Sequence, residues 1–244
     1  MIELVDFCKC YSSRKEKDSY AVKDVSFKCF PGLITGIVGE NGSGKSTILK
    51  AVTGNHYATS GSVFLTGSDG KKIDASLYPE KVKALTGYVP ENPVLPSEMK
   101  VLDFILYVAS LFHAENSDAE KDCREVIGKC GLESVSGKKI RTLSKGFRQR
   151  VSFAQALAGN PSVLVLDEPF SALDPSQIIQ MRNLILEESK DKTVIISSHN
   201  LSEVHNLCSS VIVMKNGRLA ASGTEEEIIL KTGSKTFEEA FLKL

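Results

Sequence analysis

The sequence predicts an α/β fold built on a mostly parallel sheet. Three observations carry this reading. Short apolar runs of strand length alternate with amphipathic stretches of helical period. A glycine-rich loop stands between one such run and a helix, and a second run, Val163–Leu166, ends in two adjacent carboxylates, Asp167 and Glu168. Strands separated by helices return in the same direction, which makes the sheet parallel.

The elements follow in order. Ile2–Phe7 and Ala21–Phe30 read as strands, with 12–19 (SSRKEKDS) a solvated loop between them, and an antiparallel β unit is expected at this end. Pro31-Gly32 turns the chain into Leu33–Val38, a buried strand, and a helix is expected from Ser46 to Thr53 after the glycine-rich loop. Gly61–Thr66 and Gly87–Val89 are short strands flanking a polar stretch. Val101, Ile105, Val108, Ala109 and Phe112 then form a helical stripe, and Ser117 or Asp118 is expected to cap a second helix that ends near Gly131. A helix Phe147–Ala158 leads into strand Val163–Asp167. Helix Pro175–Ser189, strands Thr193–Ser197 and Val211–Met214 and two short terminal helices complete the chain. The division expected is a core of 1–91 with 158–222, an inserted helical unit at 92–157 and terminal helices at 223–244.

Composition narrows the function classes. Of the 244 residues 42% are hydrophobic and 25% charged, ordinary for a globular chain, so disorder as the main state is excluded. Lys+Arg and Asp+Glu both total 30, which argues against a protein that grips nucleic acid through phosphate contacts. No apolar run approaches the ~20 residues of a membrane span, and the N-terminus has no secretory pattern. The six cysteines (Cys8, Cys10, Cys29, Cys123, Cys130 and Cys208) form no C-x-x-C pair and read as reduced thiols. His56, His113 and His205 lack ligand-like partners in sequence and read as structural or exposed.

Gly39-Glu40-Asn41-Gly42-Ser43-Gly44-Lys45-Ser46 fits G-x-x-x-x-G-K-[ST]. Glycines let the backbone curl several N–H groups around one anion, and the helix that follows adds its positive end. Lys45 brings a full charge to the β- and γ-phosphates, and the Ser46 hydroxyl is placed to ligate Mg²⁺. This predicts a nucleoside triphosphate site on a P-loop core. The carboxylates ending Val163–Glu168 then take complementary roles: Asp167 holds Mg²⁺, and Glu168 orients or deprotonates an attacking water.

Between these elements lies Leu143-Ser144-Lys145-Gly146-Phe147-Arg148-Gln149-Arg150. Here the chain resembles the nucleotide-binding subunits of ABC transporters, whose signature LSGGQ precedes a helix ahead of the second acidic strand. The resemblance covers essentially the whole chain. It implies that Tyr11 stacks on adenine, that nucleotide is held by residues 39–47, ending in Thr47, and that Glu91 occupies the Q-loop position as a further Mg²⁺ ligand. It also implies that Asp174 belongs to the D-loop (Ser171-Ala172-Leu173-Asp174) and that His199 is the switch histidine. Ser144, Lys145 and Gly146 would complete the ATP site of a second subunit. The sequence departs from the family pattern at Glu91, where Gln is usual, and at Lys145 and Phe147, where Gly and Gln are usual.

LSKGFRQR, the Pro90-Glu91 pair and the ending Phe237–Leu244 look like the ATPase subunits of drug-export and gliding-motility type bacterial exporters. The resemblance implies a cytoplasmic ATPase, peripheral on the membrane, that uses ATP and Mg²⁺. It would pair head to tail with an identical or different ATPase subunit and drive a separate membrane-spanning permease docked near Leu95–Phe112. No nucleic-acid partner is expected. A non-transport ATPase of the same family, such as an iron–sulfur assembly factor, stays open on length. Phe237, Phe241 and Leu244 share a helical face and are expected to dock on the core. Arg148 and Arg150 are expected to face solvent or a partner subunit.

Overall fold

The computed structural model describes residues 1–11, 20–67, 69–171 and 173–244. The loop expected at 12–19 and Ala172 of the expected D-loop lie outside them. Strands β1 (Ile2–Cys10), β2 (Tyr20–Cys29) and β3 (Ile34–Val38) lead into helix α1 (Lys45–Val52), then β4 (Ser60–Thr66), β5 (Lys72–Asp74), α2 (Pro79–Leu85) and β6 (Thr86–Val89). Three helices follow, α3 (Val101–Ser110), α4 (Asn116–Lys129) and α5 (Lys145–Leu157). The chain continues through β7 (Val163–Asp167), α6 (Pro175–Ser189), β8 (Thr193–Ser198), α7 (Leu201–His205), β9 (Ser210–Lys215), β10 (Arg218–Gly223), α8 (Glu225–Thr232) and α9 (Phe237–Lys243).

The strands form two sheets. One is antiparallel, ordered β2-β1-β4-β5; the other is ordered β10-β9-β3-β8-β7-β6 and is parallel except for its β9–β10 edge. Strands β3, β7 and β8 are buried along their whole length, as the largely apolar strands of a sheet covered on both faces must be. Side-chain alternation divides the core. Ile37, Val165, Ile195 and Ile212 face α1 and the antiparallel sheet, whereas Leu164, Leu166, Val194 and Ile196 face α3–α5. Val211 and Val213 instead meet Ile228, Phe237 and Ala240 of the last two helices, and Phe241 and Leu244 pack at the edge of that cluster. The terminal apolar stripe thus docks on the core as expected.

Four elements go beyond the sequence reading. Helix α2 starts with Pro79 in its first turn, where the missing N–H costs nothing. Strand β10 pairs with β9 through Asn216-Gly217, both at positive φ, a tight hairpin turn favoured by this dipeptide. Strand β5 and helix α7 have three and five residues, too short for a period to show.

Two helix starts are corrected. Helix α4 begins at Asn116 rather than behind a Ser117 or Asp118 cap, and its first turn carries Ala119 into the core. Helix α5 begins at Lys145 rather than Phe147, because Ser144 is its N-cap and accepts a hydrogen bond from the Phe147 N–H at 3.3 Å. Lys145 and Gly146 therefore lie in the first turn, not in a loop before it. Gly87 sets the position of that helix. A Cβ there would overlap the Ala156 carbonyl oxygen, so α5 lies directly on edge strand β6.

Candidate functional site

The C-terminal ends of β3, β8 and β7 come into register side by side, Val38 opposite Ser198 and Asp167 opposite Ser197. In open α/β sheets this edge is where ligands bind. Gly42 and Gly44 turn with φ of 81° and 104°, and Gly44 sits against the Ala21 carbonyl, leaving no room for a side chain. Among the described residues no side chain caps α1, which leaves its first N–H groups open to an anion.

Lys45 is buried and donates from Nζ to the carbonyls of Gly39 at 2.7 Å and Glu40 at 3.0 Å. Burial lowers its pKa, opposed by Glu168 and then Asp167. The loop is held in shape by its own lysine, whose charge lies beside an opening of about 280 Å³. Asn41, Gly42, Gly44, Lys45, Ser46 and Thr47 line one side of it, and Glu91, Asp167 and Glu168 the other. Gly39, Glu40 and Ser43 do not line it, and the Ser43 Oγ is buried with no hydrogen-bond partner among the described residues.

The two carboxylates diverge. Asp167 Oδ1 accepts a 2.6 Å bond from the Ser197 hydroxyl. Its carboxylate also adds to the burial that pushes the Tyr88 hydroxyl up to about 12. Glu168 takes a left-handed backbone, φ 49°, unusual for a residue with a side chain. Its N–H donates to Ser197 O at 3.2 Å and Oγ at 3.0 Å, and its Oε2 meets His199 Nδ1 at 2.8 Å. Burial raises the Glu168 pKa, and the hydrogen bond to Glu168 raises that of His199. Nε2 of His199 is left to reach a ligand.

Tyr11 is half exposed beyond β1, its hydroxyl 3.4 Å from Thr47 Oγ1 and its ring edge-on to His56 at 5.6 Å. His113 and His205 bond carboxylates, Asp122 at 2.9 Å and Glu225 at 2.7 Å, in keeping with structural roles.

Ser144, Lys145 and Gly146 do not line the phosphate pocket. Gly146 is buried against the Gln177 amide, and Asp174 accepts from the Gln177 N–H at 2.9 Å as the N-cap of α6. The first turns of α5 and α6 are thereby joined through Gln177. Arg148, expected to face outward, is half-buried and donates to the Leu143 carbonyl at 2.6 Å, and Arg150 lies 5.6 Å from the Phe147 ring. Sequence reasoning missed Ser197. Its signal was a pair of serines closing the apolar run of β8, fully buried where only a partner justifies burying a hydroxyl.

A triphosphate fits this arrangement: an uncapped helix start, a buried ammonium and two diverging carboxylates share one pocket. Among the described residues no three His, Cys, Asp or Glu side chains cluster as a metal site. A family model described as "ABC transporter" matches residues 22–171. The chain belongs to the ABC transporter family.

Its relatives agree along most of its length. The "Uncharacterized ABC transporter ATP-binding protein YxlF" of Bacillus subtilis is 32% identical over 228 residues, covering 93% of this chain and 72% of that protein. The chain spans less of two cyanobacterial relatives, 61% of one from Nostoc and 58% of one from Synechocystis. Among solved structures, the cassette MJ0796 as a dimer is 26% identical with a TM-score of 0.80 over 92% of this chain and 98% of that one. The same cassette in a post-hydrolysis state bound to ADP and Pi is 25% identical at the same TM-score and coverage. CbiO1 from Clostridium perfringens, part of the ABC transporter complex cbiONQ, is 28% identical with a TM-score of 0.81, covering 99% of this chain and 97% of that one. As an ABC cassette the chain is an ATP-binding ATPase. No helix among the described residues is long and apolar enough to cross a membrane.

Proposed function

We propose that this chain hydrolyses ATP with Mg²⁺ as the cytoplasmic ATPase subunit of an exporter of the drug-export or gliding-motility type. In this reading two cassettes pair head to tail around two ATP and drive a separate membrane-spanning permease. The observation that carries it is the convergence of Lys45, Ser46, Asp167, Glu168 and Glu91 on one pocket at the sheet's C-terminal edge.

The residues divide the work. The loop 39–44, the start of α1 and Lys45 hold the phosphates, and Ser46 with Asp167 and Glu91 would hold Mg²⁺, whose chemistry is charge neutralisation on the transferred phosphoryl group. Glu168 takes a proton from the attacking water while His199 Nδ1 holds its carboxylate in place. Tyr11 supplies a face for adenine beside Thr47. Ser144, Lys145 and Gly146, away from their own phosphate loop, serve the partner's ATP, with Asp174 at the seam. The units 1–91 with 158–222, 92–157 and 223–244 are read as core, signature-bearing insert and terminal brace. Permease docking is assigned to an apolar groove of about 620 Å³ between β6, α3 and α5. Val94, Tyr107 and Leu111 stand exposed along it, a surface that favours a protein partner.

The test is ATP hydrolysis by the purified chain against its own concentration, beside Glu168→Gln. The rate should rise faster than linearly and fall by roughly 10²-fold or more in the variant, which should accumulate as ATP-bound dimers. Wild-type turnover in Glu168→Gln would remove Glu168 as the base.

A further inference from the structure

His199 follows directly on β8, and its side chain is 66% exposed, so packing does little to fix it. Its two neighbours in the chain are fixed instead. Ser198 is fully buried, and its hydroxyl donates to Glu203 Oε2 at 2.7 Å. Asn200 donates its backbone N–H to the same Ser198 Oγ at 3.0 Å, and its Nδ2 makes a longer contact, 3.5 Å, with Glu203 Oε1. The two oxygens of one carboxylate thus reach the residues before and after His199.

The arrangement is a helix cap lengthened by one hydroxyl. Asn200 is the N-cap of α7 and accepts from the Ser202 N–H at 3.0 Å, with Glu203 at the third helical position. In an ordinary capping box that carboxylate would take the N-cap N–H directly. Here the N–H goes to Ser198, and Ser198 donates in turn to Glu203, which carries the brace back across His199. The helix bearing Glu203 is itself seated on the core. Val204 is 1% exposed, and a Cβ on Gly36 of β3 would meet its Cγ1. The Glu203 charge also reaches the imidazole, adding to the rise that the Glu168 hydrogen bond gives the His199 pKa.

We propose that Glu203 is a positioning residue for ATP hydrolysis: through Ser198 and Asn200 it fixes the backbone of His199, so that Nδ1 meets Glu168 while Nε2 stays open to the nucleotide. The role rests on the site reading above, in which His199 holds the Glu168 carboxylate in place. Glu203 acts only through His199. Without its carboxylate the Ser198 hydroxyl turns to the Asn200 carbonyl, 3.3 Å away, and the imidazole drifts from Glu168.

Hydrolysis of ATP, with kcat and KM read separately, tests this. Glu203→Ala should lower kcat by about tenfold or more, the scale of a misplaced catalytic group. KM for ATP should stay within about twofold, because the phosphate loop and Lys45 hold the nucleotide. Glu203→Gln keeps an oxygen for the Ser198 hydroxyl and should restore most of kcat. Ser198→Ala breaks the brace at its middle; it should reproduce the loss, and it decides the matter if Glu203→Ala does not fold. In a His199→Ala background, Glu203→Ala should lower kcat no further. Wild-type kcat in Glu203→Ala, or an equal loss in the His199→Ala background, would overturn the positioning role and leave Glu203 a helix cap alone. A second readout needs no turnover. Calorimetry at about pH 6, where His199 is charged, should show the Tm loss from His199→Ala shrinking by about half or more when Glu203 is already alanine. Additive losses would overturn the coupling. If the wild-type chain hydrolyses no ATP, the site reading falls, and the Tm cycle still decides whether Glu203 holds His199.

Discussion

Two hydroxyls on one strand give a sharp test of what holds the acidic edge together. In β8, Ser197 is fully buried, donates to Asp167 Oδ1 at 2.6 Å and accepts from the Glu168 N–H at 3.0 Å. Four residues earlier Thr193 is equally buried, and its Oγ1 has no partner among the described residues. Ser197→Ala removes a hydrogen bond to a charged group and leaves Asp167 with an unmatched oxygen, worth about 2 kcal/mol. The Glu168 N–H keeps the Ser197 carbonyl at 3.2 Å, so its share of the loss is small. Thr193→Val keeps shape and removes an unsatisfied donor, a change that should stabilise by up to about 1 kcal/mol. For a chain of this size these become a Tm lower by about 4–8 °C and a Tm higher by about 2–4 °C. Calorimetry on the two variants beside wild type at neutral pH measures both. Equal shifts of the same sign would refute the reasoning, because burial and strand are shared and only the hydrogen bonds differ.

Two further predictions follow from named contacts. Gly87→Ala should cost about 2–3 kcal/mol, because the new methyl meets the rigid Ala156 backbone rather than a side chain that can swing away. A Tm within about 2 °C of wild type would mean that α5 is free to lift from β6. His199 has its pKa raised by Glu168, so the folded value lies above the unfolded one. Its contribution is full below the unfolded value near 6.5 while Glu168 stays ionised, and it is lost as pH rises through the folded value. The Tm difference between wild type and His199→Ala should shrink from about pH 6 upward; a difference that grows with pH would contradict the pairing.

The parts legible in the sequence were those written in contiguous residues. The phosphate loop is a run of backbone geometry and one lysine, so glycines at fixed spacing announce both its shape and its ligand. Strands β3, β7 and β8 announce themselves because a strand buried on both faces is largely apolar. Asp167 and Glu168 stand side by side in the sequence, and the Asn216-Gly217 dipeptide is an equally local sign of the β9–β10 hairpin. Tertiary structure decided what depends on partners distant in the chain. Ser197 matters because β8 lies beside β7, and α5 starts at Lys145 because Ser144 caps it. Gly146 packs against the Gln177 amide of another helix, a neighbour that nothing in its own stretch of sequence names. The cavity lined by both Glu91 and Lys145 belongs to the same class: 54 positions apart, they line one space because α5 settles onto β6 at Gly87. Local chemistry is carried by the order of residues, but the pairing of distant groups is set by which elements the core draws together.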